Sequence, residues 1–301
     1  ALLQLGRPIE DSSILEKLAR STGKHALREA RWLHGSLQVR HLLYRGHLER
    51  AEEQFRQLRA HSGGVRSWLS DFHSAIGMAL INLERDRAKE YWSEFLGVTQ
   101  GWQRRSRTLS ALSMRMLLAQ GRVAEVRSEI ERNAVDTLIR RPVAAGHLGV
   151  LSQLALVMVE LGDRERCQAL YERMLPYADL VAVDEFWFAF GSVAYFLGVL
   201  AAACGDGEAA RVHLENALAR NGLVGYRVQT AWTRYELART LLGSGESGQR
   251  ARALMLLAEA EQDARKCDLR VLLRCVQGLD VPALELRAQS GRPGRRTADI
   301  P

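Results

Sequence analysis

Apolar runs and charged amphipathic runs alternate along the chain, and each changeover falls on a turn signal. Residues 197–220, "LGVLAAACGDGEAARVHLENALAR", show the unit. An uncharged run ends at Cys204, Gly205-Asp206-Gly207 interrupts it, and a charged run follows with Ala210, Leu214 and Ala217 on one helical face. The same frame recurs upstream as Leu154-Ala155, Gly162, Cys167, Tyr171 and Met174. Downstream it returns as Leu237-Ala238, Gly245, Ala253, Leu257 and Ala260, after a short insertion in the turn. Earlier copies are Val39, Gly46, Ala51, Phe55 and Leu58, then Met114, Gly121, Val126 and Ile130. A degenerate copy between them, Gly77, Ala88, Trp92 and Phe95, lacks the turn glycine, and "LLQLGRP" around Gly6 reads as half of a further pair. The turns recur roughly every 37 to 43 residues.

Each unit predicts two antiparallel helices: glycine ends the first by supplying a left-handed backbone, and a small residue admits close crossing by the second. Neither helix buries its whole apolar face alone, so neighbours must stack. The expectation is an all-α, right-handed α-solenoid with a period of about 40 residues. It spans 1–289 as a partial first repeat and about six helix pairs, and a disordered basic tail occupies 290–301. Because stacked repeats contact only neighbours, loss of 221–301 should leave a shorter folded array. The run from Phe186 to Cys204 carries no charge and approaches the length of a bilayer span. Gly191, Ser192 and Gly198, and its phase with the other first helices, assign it to inter-repeat packing instead.

These positions resemble the tetratricopeptide repeat: Leu197, Gly198, Gly205, Ala210, Leu214 and Ala217 match its signature, and Leu154 to Met174 nearly so, with Pro176 close behind. The resemblance covers 2–270. The long period is similar to the helical arrays of large bacterial signalling ATPases, in which a nucleotide-binding switch domain precedes the repeats and a kinase, cyclase or LuxR-type DNA-binding domain is attached. In the tetratricopeptide frame the concave groove is lined by Ser36 and Arg40, Ser74 and Met78, Ala111 and Arg115, Ser152 and Leu156, Tyr195 and Val199, and Tyr235 and Arg239. Arg40, Arg115 and Arg239, with the aromatic residues Tyr195, Trp232 and Tyr235, are thus the candidate partner-binding set. Arg115 and Arg239 are expected to lie too far apart to share one small ligand, which favours an extended acidic peptide.

The net charge of +7 is almost all arginine, Lys17, Lys24, Lys89 and Lys266 being the only lysines. The clusters Arg104-Arg105-Arg107, Arg140-Arg141 and Arg292-Arg295-Arg296 are interrupted by carboxylates elsewhere and form no continuous stripe for nucleic acid. Cys167, Cys204, Cys267 and Cys275 form no Cys-x-x-Cys pair and read as small hydrophobes in a reducing compartment. "STGKH" lacks the upstream glycine and the hydroxyl that a P-loop needs. Ser70, Asp71 and His73 lie too close in sequence to converge as a triad and read as a solvated face, and no carboxylate or cysteine completes a metal site around His34 and His41. Of the aromatic cluster Phe186, Trp187, Phe188, Phe190, Tyr195 and Phe196, most rings are expected in the core and one or two at a groove.

The expected function is a non-catalytic protein-interaction or sensor array, the C-terminal regulatory region of a larger bacterial, cytoplasmic signalling protein. No cofactor, metal, nucleic acid or membrane is expected, and upstream domains of the same polypeptide are expected as partners. The alternative is the repeat region of a transcriptional regulator, kinase or cyclase whose output domain lies outside this chain. Ala1, standing where a Met would begin a chain, fits a fragment.

Overall fold

The structure, a computed structural model, describes residues 28–60, 67–99, 106–144, 146–245 and 248–280. The expected partial first repeat and the tail at 290–301 lie outside these residues. Six helix pairs follow one another: α1 (Arg28–Tyr44) with α2 (Leu48–Ala60), α3 (Ser67–Glu84) with α4 (Ala88–Thr99), and α5 (Arg107–Leu118) with α6 (Val123–Arg132). After a short α7 (Val135–Arg140) come α8 (His147–Leu161) with α9 (Arg164–Met174), α10 (Val193–Cys204) with α11 (Gly207–Val224), and α12 (Arg227–Ser244) with α13 (Gln249–Cys267). The last described helix is α14 (Arg270–Gln277). The protein is an all-α array of helical repeats, interrupted by one small hairpin.

The turns are built as the glycine spacing predicts. Gly46, Gly121, Gly162, Gly205 and Gly245 all have positive φ. At four of these turns the following N–H reaches back across the helix end, from His47 to Leu42, Arg122 to Leu117, Asp163 to Met158 and Asp206 to Ala201. In the degenerate repeat Asp86 takes the left-handed position at φ 57°, and Arg87 N–H makes the same bond to the Asn82 carbonyl at 2.8 Å. Asp163 and Asp206 then cap the next helices, their carboxylates accepting from Arg166 and Ala209 N–H. Close crossing accounts for the small residues: a Cβ on Gly77 would overlap the Phe55 ring, and one on Gly198 would overlap Leu214.

Two features depart from the expected stack. Residues 186–192 are not helical. Strands β1 (Val181–Val183) and β2 (Ala189–Ser192) form an antiparallel hairpin, and α10 begins only at Val193, capped by Ser192 Oγ. No helix among the described residues is long and apolar enough to cross a membrane.

The second departure is that the array curls until its ends meet. The turns of the first two pairs pack against the connections of the last pairs. The Tyr44 and Tyr226 rings stand edge to face at 5.1 Å, and a Cβ on Gly46 would overlap the Cys267 sulfur. Arg85 Nε pairs with Asp268 Oδ2 at 2.6 Å, Asp86 pairs with Arg274, and α14 lies on α3. The neighbour-only expectation for 221–301 is therefore corrected. The described residues of this segment also contact the beginning of the array, so that the first helices form a ring around a concave inner face, the lumen.

Candidate functional site: the lumen of the array

The hairpin fills part of that concave face. Its tip, 184–188, runs past the first helices of the first four pairs. Arg40 Nη1 on α1 donates to the Phe186 and Trp187 carbonyls, both at 3.0 Å, and its Nε donates to Ser36 O. Phe186 packs on Phe72 and His73 of α3. Ser106 and Thr108, at the start of α5, donate to the two oxygens of Glu185 at 3.1 and 2.9 Å. On α8 a Cβ at Gly149 would stand 2.6 Å from Asp184 N, so only glycine admits the hairpin backbone there.

Asp184 organises the tip. It is 2% exposed, and its Oδ1 accepts from the N–H groups of Phe186 and Phe188 at 2.8 Å each. Burial, reinforced by Glu185, pushes its carboxyl up to about 8, while burial and then Arg40 bring His73 down to about 4. Ser70 and His73 are buried, which corrects their assignment to a solvated face, and Phe186 and Phe188 of the hairpin pack on the His73 ring. Asp71 alone of that trio ion-pairs outward, with Arg59.

Arg40 is accordingly a structural ligand of the hairpin. It is 2% exposed, its guanidinium already shared among three carbonyls. The paired groove positions Ser36, Ser74, Met78, Ala111, Ser152 and Val199 are also buried.

The other five candidates lie on the first helices α5, α10 and α12. Arg115 on α5 donates to Gln153 Oε1 on α8 at 2.7 Å. The Trp232 indole on α12 donates to Glu84 Oε2, at the end of α3, at 2.8 Å across the closure of the array. The Trp232 and Tyr235 rings are edge to face at 6.0 Å. Arg239 lies over the Tyr235 ring at 5.6 Å and pairs with Glu236 at 2.8 Å. The Tyr195 hydroxyl on α10 lies within the field of Glu236, Glu84, Arg115 and Arg239 together.

Carboxylates missing from the predicted set complete the wall. Burial raises Glu84, Glu160 and Glu236, with Arg115 opposing the shift at the first two and Arg239 at the third. Burial lowers Arg115 and raises Tyr195 well above the usual phenol range. Helical spacing marked the arginines; Glu84 and Glu160 sit at helix ends, where the repeat frame assigns no groove position.

Among the aromatic cluster, Phe188, Phe190, Tyr195 and Phe196 are core, and Trp187 is 52% exposed at φ 63°. All four cysteines are free; Cys167 and Cys267 are buried, Cys204 and Cys275 only partly so. No group of His, Cys, Asp and Glu among the described residues could hold a metal ion.

The fold is an array of helical repeats. The tetratricopeptide repeat family matches two stretches, residues 148–173 and 191–216, which are α8–α9 and the end of the hairpin with α10 and the first half of α11. Comparison with curated proteins returns no match. Tetratricopeptide repeats are generally non-catalytic and mediate protein–protein interactions.

Proposed function

We propose that this chain is the non-catalytic sensor or interaction array of a larger cytoplasmic bacterial signalling protein, and that the lumen is where it receives its partner. The observation that carries this is the ring of first helices, across whose closure Trp232 bonds Glu84 beside Tyr235 and Arg239. The hairpin occupies the rest of the concave face, so the partner is confined to this end. The long repeat period, similar to that of the arrays in signalling ATPases, supports the larger context, in which upstream domains carry the output.

The partner's acidic character now rests on Arg115. Arg239 is paired with Glu236 and Arg40 is committed to the hairpin, whereas Arg115 contacts only a neutral amide and keeps donors to offer. A protein or peptide segment that presents a carboxylate to Arg115 fits this site.

The test is capture of partners by the immobilised chain, comparing wild type with Arg115→Ala/Arg239→Ala at low and moderate salt. The expected result is capture that weakens with salt in the wild type and is lost in the double variant. Undiminished capture by the double variant removes the lumen from the interaction. A captured nucleic acid contradicts the proposal.

A further inference from the structure

The hairpin touches both ends of the ring. On the lumen side Arg40 of α1 holds the Phe186 and Trp187 carbonyls, Ser106 and Thr108 of α5 hold Glu185, and Gly149 of α8 admits the backbone at Asp184. The strands face the seam. Val181, Val183 and Ala189 form an apolar cluster of their own with Tyr226, the residue before α12, and with Tyr44 at the end of α1. The Tyr44 hydroxyl accepts from Ala189 N–H at 2.7 Å, and a Cβ on Gly191 would overlap the Gln229 side chain of α12. Tyr44 and Tyr226 are the two rings that meet edge to face where the array closes. The hairpin is thus wedged between α1 and α12, whose contact completes the ring of first helices.

This seat holds opposing terms. Arg40 Nη2 on α1, Ser70 Oγ on α3 and Asp184 Oδ2 in the tip are buried and make no hydrogen bond among the described residues. Buried polar groups are ordinarily bonded. Trp187 adds a left-handed backbone, φ 63°, which a bulky side chain adopts only under constraint. Burial of Phe188 and the bonds from Arg40 hold the tip down against these costs. An element so held is suited to come away while the helices beneath it stay folded.

We propose that the hairpin is a clasp: its docking in the lumen and the closure of the ring are one coupled equilibrium, so that what lifts the tip opens the seam and what opens the seam frees the tip. Strands β1 and β2 are only three and four residues long, so the face held by the lumen and the face held by the seam belong to one small rigid unit. The clasp gives the lumen of the proposed function a mechanical output. The coupling itself belongs to the free chain and is tested without a partner.

The test uses two reporters in a chain whose Cys167, Cys204 and Cys275 are replaced by alanine. Cys267 is buried at the seam, where a Cβ on Gly46 would overlap its sulfur, so its reaction with a thiol reagent reads the open ring. The Phe186 and Phe188 amides, bonded to Asp184 Oδ1, report on the tip by hydrogen exchange. Gly149→Ala favours α8 as a helix but sets a Cβ 2.6 Å from Asp184 N, and so disturbs the hairpin from a helix outside the seam. It should speed both reporters, each by about tenfold. Tyr44→Phe removes the Ala189 bond at the seam and should speed the two tip amides by about fivefold. Val126→Ala opens a void on α6, which packs on α5, and should lower the melting temperature while leaving both reporters at wild-type rates. Faster tip exchange in Gly149→Ala with unchanged Cys267 labelling overturns the proposal, as does equal acceleration of both reporters by Val126→Ala. Unchanged tip exchange in Gly149→Ala overturns it too, because the seat on which the coupling rests would then be absent. Each of these results leaves partner capture by the lumen to its own experiment.

Discussion

Arg85 and Asp268 are far apart in the chain, yet Arg85 Nε lies 2.6 Å from Asp268 Oδ2. Arg85 also donates to the buried Glu52, which binds Arg56 and Arg87 as well, so the pair ties the first two helix pairs to the last connection. Arg85 is largely shielded from water and Asp268 only partly. Asp268→Asn keeps a side chain that tolerates the left-handed backbone and removes the charge. It should cost about 1 kcal/mol, read from the urea midpoint. Truncation after residue 220 removes the whole closure, and should give a broader unfolding transition at lower denaturant, not an intact shorter array. A sharp transition near that of the full chain would show the closure to be dispensable.

Arg40 was marked by the repeat frame as a partner contact, and the structure gives it to the hairpin. Arg40→Ala leaves the Phe186 and Trp187 carbonyls short of their donor in a buried setting and should cost on the order of 3 kcal/mol. The melting temperature should therefore fall. If Arg40→Ala instead melts as the wild type does while losing partner capture, Arg40 belongs to a binding surface after all.

The frame of turns was legible because glycine is read locally: each turn needs a left-handed residue at a fixed place, and Gly46, Gly121, Gly162, Gly205 and Gly245 supply it. Even the degenerate repeat obeys, with Asp86 in that conformation. The hairpin was not legible, because an uncharged run such as 186–204 buries equally well as helix or strand. Its local markers are the β-branched Val181 and Val183, Gly191 at positive φ, and Ser192 poised to cap a helix starting at Val193. Closure was not legible at all, since it depends on the rotation accumulated over successive pairs. That is why Arg115, Tyr195 and Trp232 were marked singly, but Glu84 and Glu160 were missed.

Asp184 in the hairpin tip and His73 beneath it titrate in opposite senses. Asp184 is raised from its usual 3.8 to about 8, so between those values the unfolded chain has lost a proton that the folded chain keeps. Stability from this group is full at acid pH and falls as pH rises through that window. His73 is lowered from 6.5 to about 4, so its contribution is present above 6.5 and is lost as pH falls toward 4. Between 6.5 and 8 only Asp184 acts of the two. Asp184→Asn keeps an oxygen for the Phe186 and Phe188 N–H groups and should abolish a loss of about 1–2 kcal/mol across that interval. Urea midpoints of both proteins at the two pH values test this; parallel pH profiles would contradict it.

Ala210 is fully buried where α11 crosses α10, its carbonyl 3.2 Å from where a Cβ on Gly198 would lie. Ala210→Leu should overpack this crossing and cost about 1–3 kcal/mol. Arg211, the next residue, faces outward between Glu208 and Glu215, and Arg211→Leu should cost far less. Equal melting temperatures for the two variants would place the repeat frame wrongly.

The central claim is that the helical array closes on itself and so makes a lumen. Asp86 and Arg274 are ion-paired across that closure. The direct measurement uses Asp86→Cys/Arg274→Cys in a chain whose native cysteines are replaced by alanine or serine, treated when dilute with a short bifunctional thiol reagent. Closure predicts rapid intramolecular linkage, seen by mass and by a shifted band that is independent of protein concentration, and abolished in denaturant. An open array predicts no intramolecular product under native conditions, and that result would contradict the account.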